Sequence, residues 1–182
     1  MGVESYNFFI YPKENMVKLT DDGWETYSSH SVLFTNVTNA LKSMLNVNSY
    51  TSKESWSDDD PECYYSYADE TCIIEIQINS GVKSEKVDEI SVRFAVCNPE
   101  GTFEKAIKLC RNIGILLGMN VLDMKLHESL DFSNEIQVMK SKQKYYEKRE
   151  QFFSMFRLPD GVIARPLYCS EVWNIVKGKG KF

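Results

Sequence analysis

Two short runs of strict alternation limit the fold most. Cys72, Ile74, Ile76 and Ile78 alternate with Ile73, Glu75 and Gln77, and Ile90, Val92, Phe94 and Val96 alternate with Ser91, Arg93, Ala95 and Cys97. Successive side chains on a strand point to opposite faces, so each run predicts a strand with one buried face. Cys63 to Tyr67 precedes them, across a turn signal at Ala68-Asp69-Glu70, and only the polar stretch SGVKSEKVD separates the two runs. The three segments predict an antiparallel meander.

The remaining signals add helices around that sheet. Phe103, Ala106, Ile107, Cys110, Ile113, Gly114 and Leu117 recur at helical spacing between the breaker NPEGT and Gly118. A second amphipathic helix is predicted from Ser31, through Leu33, Phe34, Val37, Leu41, Met44 and Leu45. Tyr6 to Tyr11, stopped by Pro12, predicts a first strand, and Asp21-Asp22-Gly23 a turn. Val121 to Leu126 predicts another strand, with Leu122, Met124 and Leu126 inward and Asp123 and Lys125 outward. Residues 46–61 are polar and aperiodic, the pattern of a long surface loop.

A long polar helix is predicted over 133–157, capped by Ser133 and packing through Ile136, Met139, Tyr146, Phe153 and Phe156. Gln143 and Glu150 interrupt its stripe, so a narrow seam is expected; a half-apolar helix of this length also suits a homodimer contact. Val162 to Ala164 suggests a short strand, Ser170 a cap for a last helix with Val172, Trp173 and Val176, and 177–182 a frayed basic tail. The order predicts an α+β single domain: an antiparallel-dominated or mixed sheet of about five strands, helices mainly on one face, in a split βαβ-like arrangement.

With 182 residues, 43% of them hydrophobic, the chain is long enough to bury a core without disulfide or metal staples. No basic and apolar leader opens it and no run approaches the roughly 20 apolar residues of a membrane helix, so a soluble cytoplasmic protein is expected, with no membrane partner. Gly2 lacks the Ser or Thr that a myristoylation signal needs, since Tyr6 stands there. Cys63, Cys72, Cys97, Cys110 and Cys169 form no C-x-x-C pair and read as reduced thiols. The sequon at Asn36-Val37-Thr38 carries no weight without a secretory signal.

Catalytic chemistry has few candidates. The histidines are His30 and His127. His127-Glu128 would set a base beside a carboxylate, but neighbours on a strand face opposite ways. Cys72 and Cys110 fall on predicted buried faces where a thiol is inert, leaving Cys63, Cys97 and Cys169 as formal nucleophile candidates. Asp58-Asp59-Asp60 is contiguous, unlike calcium ligands spaced about a glycine turn, and no phosphate-cradling glycine motif occurs. No metal, nucleotide or other cofactor is expected.

Charge is uneven along the chain. Residues 1–132 carry 11 Lys+Arg against 21 Asp+Glu, and residues 133–182 carry 10 against 5. Lys140, Lys142, Lys144, Lys148 and Arg149, with Tyr145 and Tyr146 among them, raise nucleic-acid binding, which the overall net charge of -5 disfavours. Residues 50–75 hold Lys53 against Glu54, Asp58, Asp59, Asp60, Glu62, Asp69, Glu70 and Glu75, interleaved with Tyr50, Trp56, Tyr64, Tyr65 and Tyr67. Carboxylates steer a basic partner and large amphipathic rings anchor interfaces. Small size, an acidic balance and absent catalytic motifs resemble small inhibitor proteins, including immunity proteins that neutralise toxins of competing bacteria. A non-enzymatic module of that immunity-inhibitor type, docking on a basic protein, is expected, and the charge and rings of the acidic segment make Trp56, Asp58, Asp59, Asp60, Glu62, Tyr64, Tyr65 and Tyr67 the expected contacts. The alternative is a small enzyme or ligand-binding domain with a pocket between sheet and helices, using His127, Glu128 and Tyr67.

Overall fold

A computed structural model describes residues 4–21, 23–27, 30–49, 61–78, 85–156 and 163. In chain order its elements are β1 (Ser5–Pro12), β2 (Met16–Thr20), β3 (Gly23–Tyr27), β4 (Val32–Leu33), α1 (Phe34–Lys42) and β5 (Val47–Ser49). A 3-10 turn (Pro61–Cys63) then leads to β6 (Tyr64–Ala68), β7 (Ile73–Ile78), β8 (Lys86–Val87) and β9 (Ile90–Ala95). The chain continues through α2 (Thr102–Leu117), β10 (Met119–Asp123), β11 (Glu128–Ser129) and α3 (Glu135–Phe156).

Period-two sequence becomes a sheet whose core face is almost wholly apolar. Seven strands hydrogen-bond in the order β11-β10-β1-β9-β7-β6-β5, every neighbouring pair antiparallel. Because β9 and β10 both run antiparallel to β1, they are parallel to each other, and α2 joins them with β1 inserted between. This is the expected split βαβ unit, inside an α+β fold with seven strands in its main sheet rather than about five. The two extra strands are β5, inside the stretch expected to be loop, and the two-residue β11. Both lie at sheet edges, where a strand of two or three residues shows no period.

Tyr6, Phe8 and Ile10 of β1 share a face with Ile74, Ile76 and Ile78 of β7 and with Ile90, Val92 and Phe94 of β9, all buried. The helices cover that face. Phe103 of α2 and Tyr145 of α3 stack with ring centroids 5.5 Å apart, and both meet Tyr6 edge-on. Gly114 lets α2 lie close on the next strand, since a β-carbon there would sit 2.9 Å from the Met119 carbonyl oxygen. Gly118 then ends the helix in the left-handed conformation (φ 66°), donating its N–H to the Gly114 carbonyl. On the opposite sheet face, Phe9, Tyr11 and Leu122 are covered by Val17 and Trp24 of the β2–β3 hairpin.

Four expectations are corrected. The helix expected from Ser31 starts at Phe34, because Val32 and Leu33 pair instead with β8, and Leu45 is 85% exposed beyond its end. On β10 the inward pattern is inverted: Val121 and Asp123 take the helix-covered face, and Leu122 the other. On α3 the buried seam is Ser141, Tyr145, Lys148 and Phe152, at spacings of four, three and four, while Ile136 and Met139 are exposed. Asn134, not Ser133, caps that helix, its side-chain oxygen accepting from the Gln137 N–H at 3.2 Å. Ser133 instead donates to Asp131. The strand expected at Val162 to Ala164 (apart from Ile163), the helix after Ser170, the tail 177–182 and residues 50–60 lie outside the described residues.

Candidate recognition surface

The acidic segment springs from the β5 edge of the sheet. Ser49 at the end of β5 is in register with Tyr65 of β6, so both chain ends bounding residues 50–62 are fixed in one antiparallel ladder. Trp56, Asp58, Asp59 and Asp60 lie outside the described residues. Glu62 is exposed beside the ladder, and Tyr67 is partly buried. Tyr64 and Tyr65, expected as contacts, are core residues: Tyr65 is 1% exposed, facing Ile76 across the pair, and burial raises its phenol pKa. Tyr64 and Tyr65 project from opposite faces of β6 and both are buried, so these rings brace the segment's base instead of offering a contact.

At the other end of β6, a polar cluster ties sheet to helix. The Asp69 carboxylate accepts hydrogen bonds from the Tyr67 hydroxyl at 2.6 Å, from Thr71 and Cys72 backbone N–H groups, and from the Lys105 ammonium at 2.5 Å. Partial burial pushes the Asp69 carboxyl up, but the bonds from Lys105, Tyr67 and Thr71 outweigh it and hold the group well below the ordinary carboxylate range. Asp-x-Thr is a turn signature legible in sequence. Lys105, on α2 beyond three intervening strands, has no local signal linking it to Asp69. Glu75, counted above with the acidic surface, is buried and pairs with Arg93 at 3.0 Å on the sheet face opposite α2.

The residues of the enzyme alternative do not converge. His127 is not on a strand but in the β10–β11 turn with a left-handed backbone (φ 60°), its ring edge-on to Trp24 at 5.4 Å. Glu128 pairs with Lys140 of α3 at 2.6 Å. Tyr67 lies on β6, four strand spacings from β10, or roughly 19 Å by sheet geometry. His30 is exposed, its carbonyl accepting from Asn15. Cys63, Cys72, Cys97 and Cys110 are buried, and burial pushes the Cys72 and Cys97 thiols up to about 11, which keeps them protonated. Cys169 lies outside the described residues. Among the described residues no three His, Cys, Asp or Glu side chains converge on a metal position, and no helix is long and apolar enough to cross a membrane.

The cations of α3 are not a free basic row. Lys140, Lys142 and Lys144 pair with Glu128, Glu104 and Glu147, and Arg149 lies over the Phe153 ring at 4.5 Å. Lys148 is buried, donating to the Ser5 carbonyl, and burial lowers its pKa. Ser141 and Tyr6 both donate to the fully buried Asp123. The seam that docks this polar helix is therefore itself partly polar. No protein-family model matches the chain, and no curated protein aligns with it.

Proposed function

We propose that this chain is a non-enzymatic protein-binding module, of the immunity-type inhibitor kind, whose acidic segment takes a basic partner protein and blocks it. The observation that carries the reading is the fixed base of that segment: Ser49 and Tyr65 hold its two ends in one ladder, and Tyr65 is locked in the core. A loop clamped at both ends loses less conformational entropy on binding than a free tail. Its charge, from Glu54 through Asp58, Asp59, Asp60 and Glu62, would raise the encounter rate with a basic surface. With Tyr64 and Tyr65 committed to the core, Tyr50 and Trp56 of the segment and the partly buried Tyr67 are the large rings left for the contact.

The test is capture from a lysate of the encoding organism with tagged wild-type protein and with a triple Asp58→Asn, Asp59→Asn, Asp60→Asn variant, at low and moderate salt. One basic protein retained by the wild type, released by salt and lost from the variant is expected. Equal retention by both proteins would remove the acidic segment from the interaction.

A further inference from the structure

We propose that the groove between the C-terminal end of α1, β6 and α2 is a second docking site, and that it takes an amphipathic segment of a partner protein whose apolar side chains are flanked by carboxylates. The groove encloses about 600 Å³. Leu45 is 85% exposed on one wall, Ile115 and Leu116 are 67% and 57% exposed on the other, and Met44 and Leu109 line the space between. Large aliphatic side chains left in water around one concavity mark a contact surface.

Charge selects the occupant. The chain is acidic overall, yet among the described residues the groove lining holds no carboxylate and includes Lys105 and Lys108. Lys105 is neutralised by Asp69, but Lys108 forms no ion pair among the described residues. An apolar ridge with flanking Asp or Glu would fill the groove and meet Lys108. The walls are also preset: the Tyr67–Asp69–Lys105 bonds tie β6 to α2, so little ordering remains to be done on binding. This site is independent of the acidic segment and prefers the opposite charge in its partner.

The experiment is panning of a displayed random peptide library, about 16 residues long so as to span four helical turns, against the full chain, with Leu116→Glu as counter-target. Enrichment of peptides with apolar residues at helical spacing and with Asp or Glu beside them is expected. A synthetic copy should bind about tenfold or more weakly to Lys108→Glu and to Leu116→Glu. No enrichment, basic consensus peptides, or equal binding to Leu116→Glu would overturn the proposal. So would a dimer in sedimentation that Leu116→Glu dissociates, which would assign the face to a second copy. The triple Asp58, Asp59, Asp60 variant should bind the peptide as the wild type does, separating failure here from failure of the acidic-segment reading.

Discussion

Two buried tyrosines whose rings are 5.7 Å apart show how much a single hydroxyl decides. Tyr6 donates to Asp123 at 2.7 Å, whereas the Tyr145 hydroxyl has no hydrogen-bond partner among the described residues. Removing a donor from a buried carboxylate leaves it under-solvated, so Tyr6→Phe should lower unfolding free energy by about 1–3 kcal/mol in urea melts. Tyr145→Phe should be neutral or stabilising, and a loss above about 1 kcal/mol would contradict this geometry. Asp69 gives a pH signature. A carboxyl whose folded pKa lies below its unfolded value stabilises the fold above the unfolded pKa, near 3.9, and withdraws that contribution as pH falls toward the folded value. The wild type should therefore lose stability below about pH 4 more steeply than Asp69→Asn, and parallel curves would remove Asp69 from the acid limb. Sequence showed Asp69 as a turn residue but hid Asp123. On β10 both faces are covered, by helices on one side and the β2–β3 hairpin on the other, so alternation of apolar residues did not tell which face carries the acid.

Elements with strong periods and firm breakers were legible: β7, β9 and α2 lie within a residue or two of their expected limits. Elements whose partners are distant were not. The β2–β3 hairpin mixes exposed and half-buried residues, and only its turn was visible. For α3, the apolar residues Ile136 and Met139 suggested the packing face, but the seam follows Ser141, Tyr145, Lys148 and Phe152 because Asp123 and the Ser5 carbonyl supply polar partners there. Tyr145→Ala should cost about 3–5 kcal/mol as a large cavity opens among Tyr6, Phe94 and Phe103, while Ile136→Ser should change stability by less than about 0.5 kcal/mol. Gly114→Ala tests the α2–β10 contact: with 2.9 Å to a backbone oxygen, the added methyl forces the helix outward. A loss of about 1–3 kcal/mol is expected despite the better helix propensity of Ala; a gain would show that the helix relaxes freely.

At the scale of the whole molecule, the sequence charge asymmetry is partly consumed within the fold. Lys142 of the basic C-terminal part pairs with Glu104, Lys140 pairs with Glu128, and Glu75 with Arg93. The two proposed contacts are the acidic segment that joins β5 to β6 in sequence and the apolar groove beside Lys108 between α1 and α2. The acidic segment was legible as composition, but which of its tyrosines stay free was not, because that depends on the cover of both faces of β6. The measurement that bears most directly on the proposed function is the association rate of the captured basic protein, followed by stopped-flow across a salt series for wild type and for the triple Asp58→Asn, Asp59→Asn, Asp60→Asn variant. A wild-type rate that falls steeply with salt, and a variant rate that is lower and nearly flat, is expected for steering by this segment. Identical rates and identical salt slopes would contradict it.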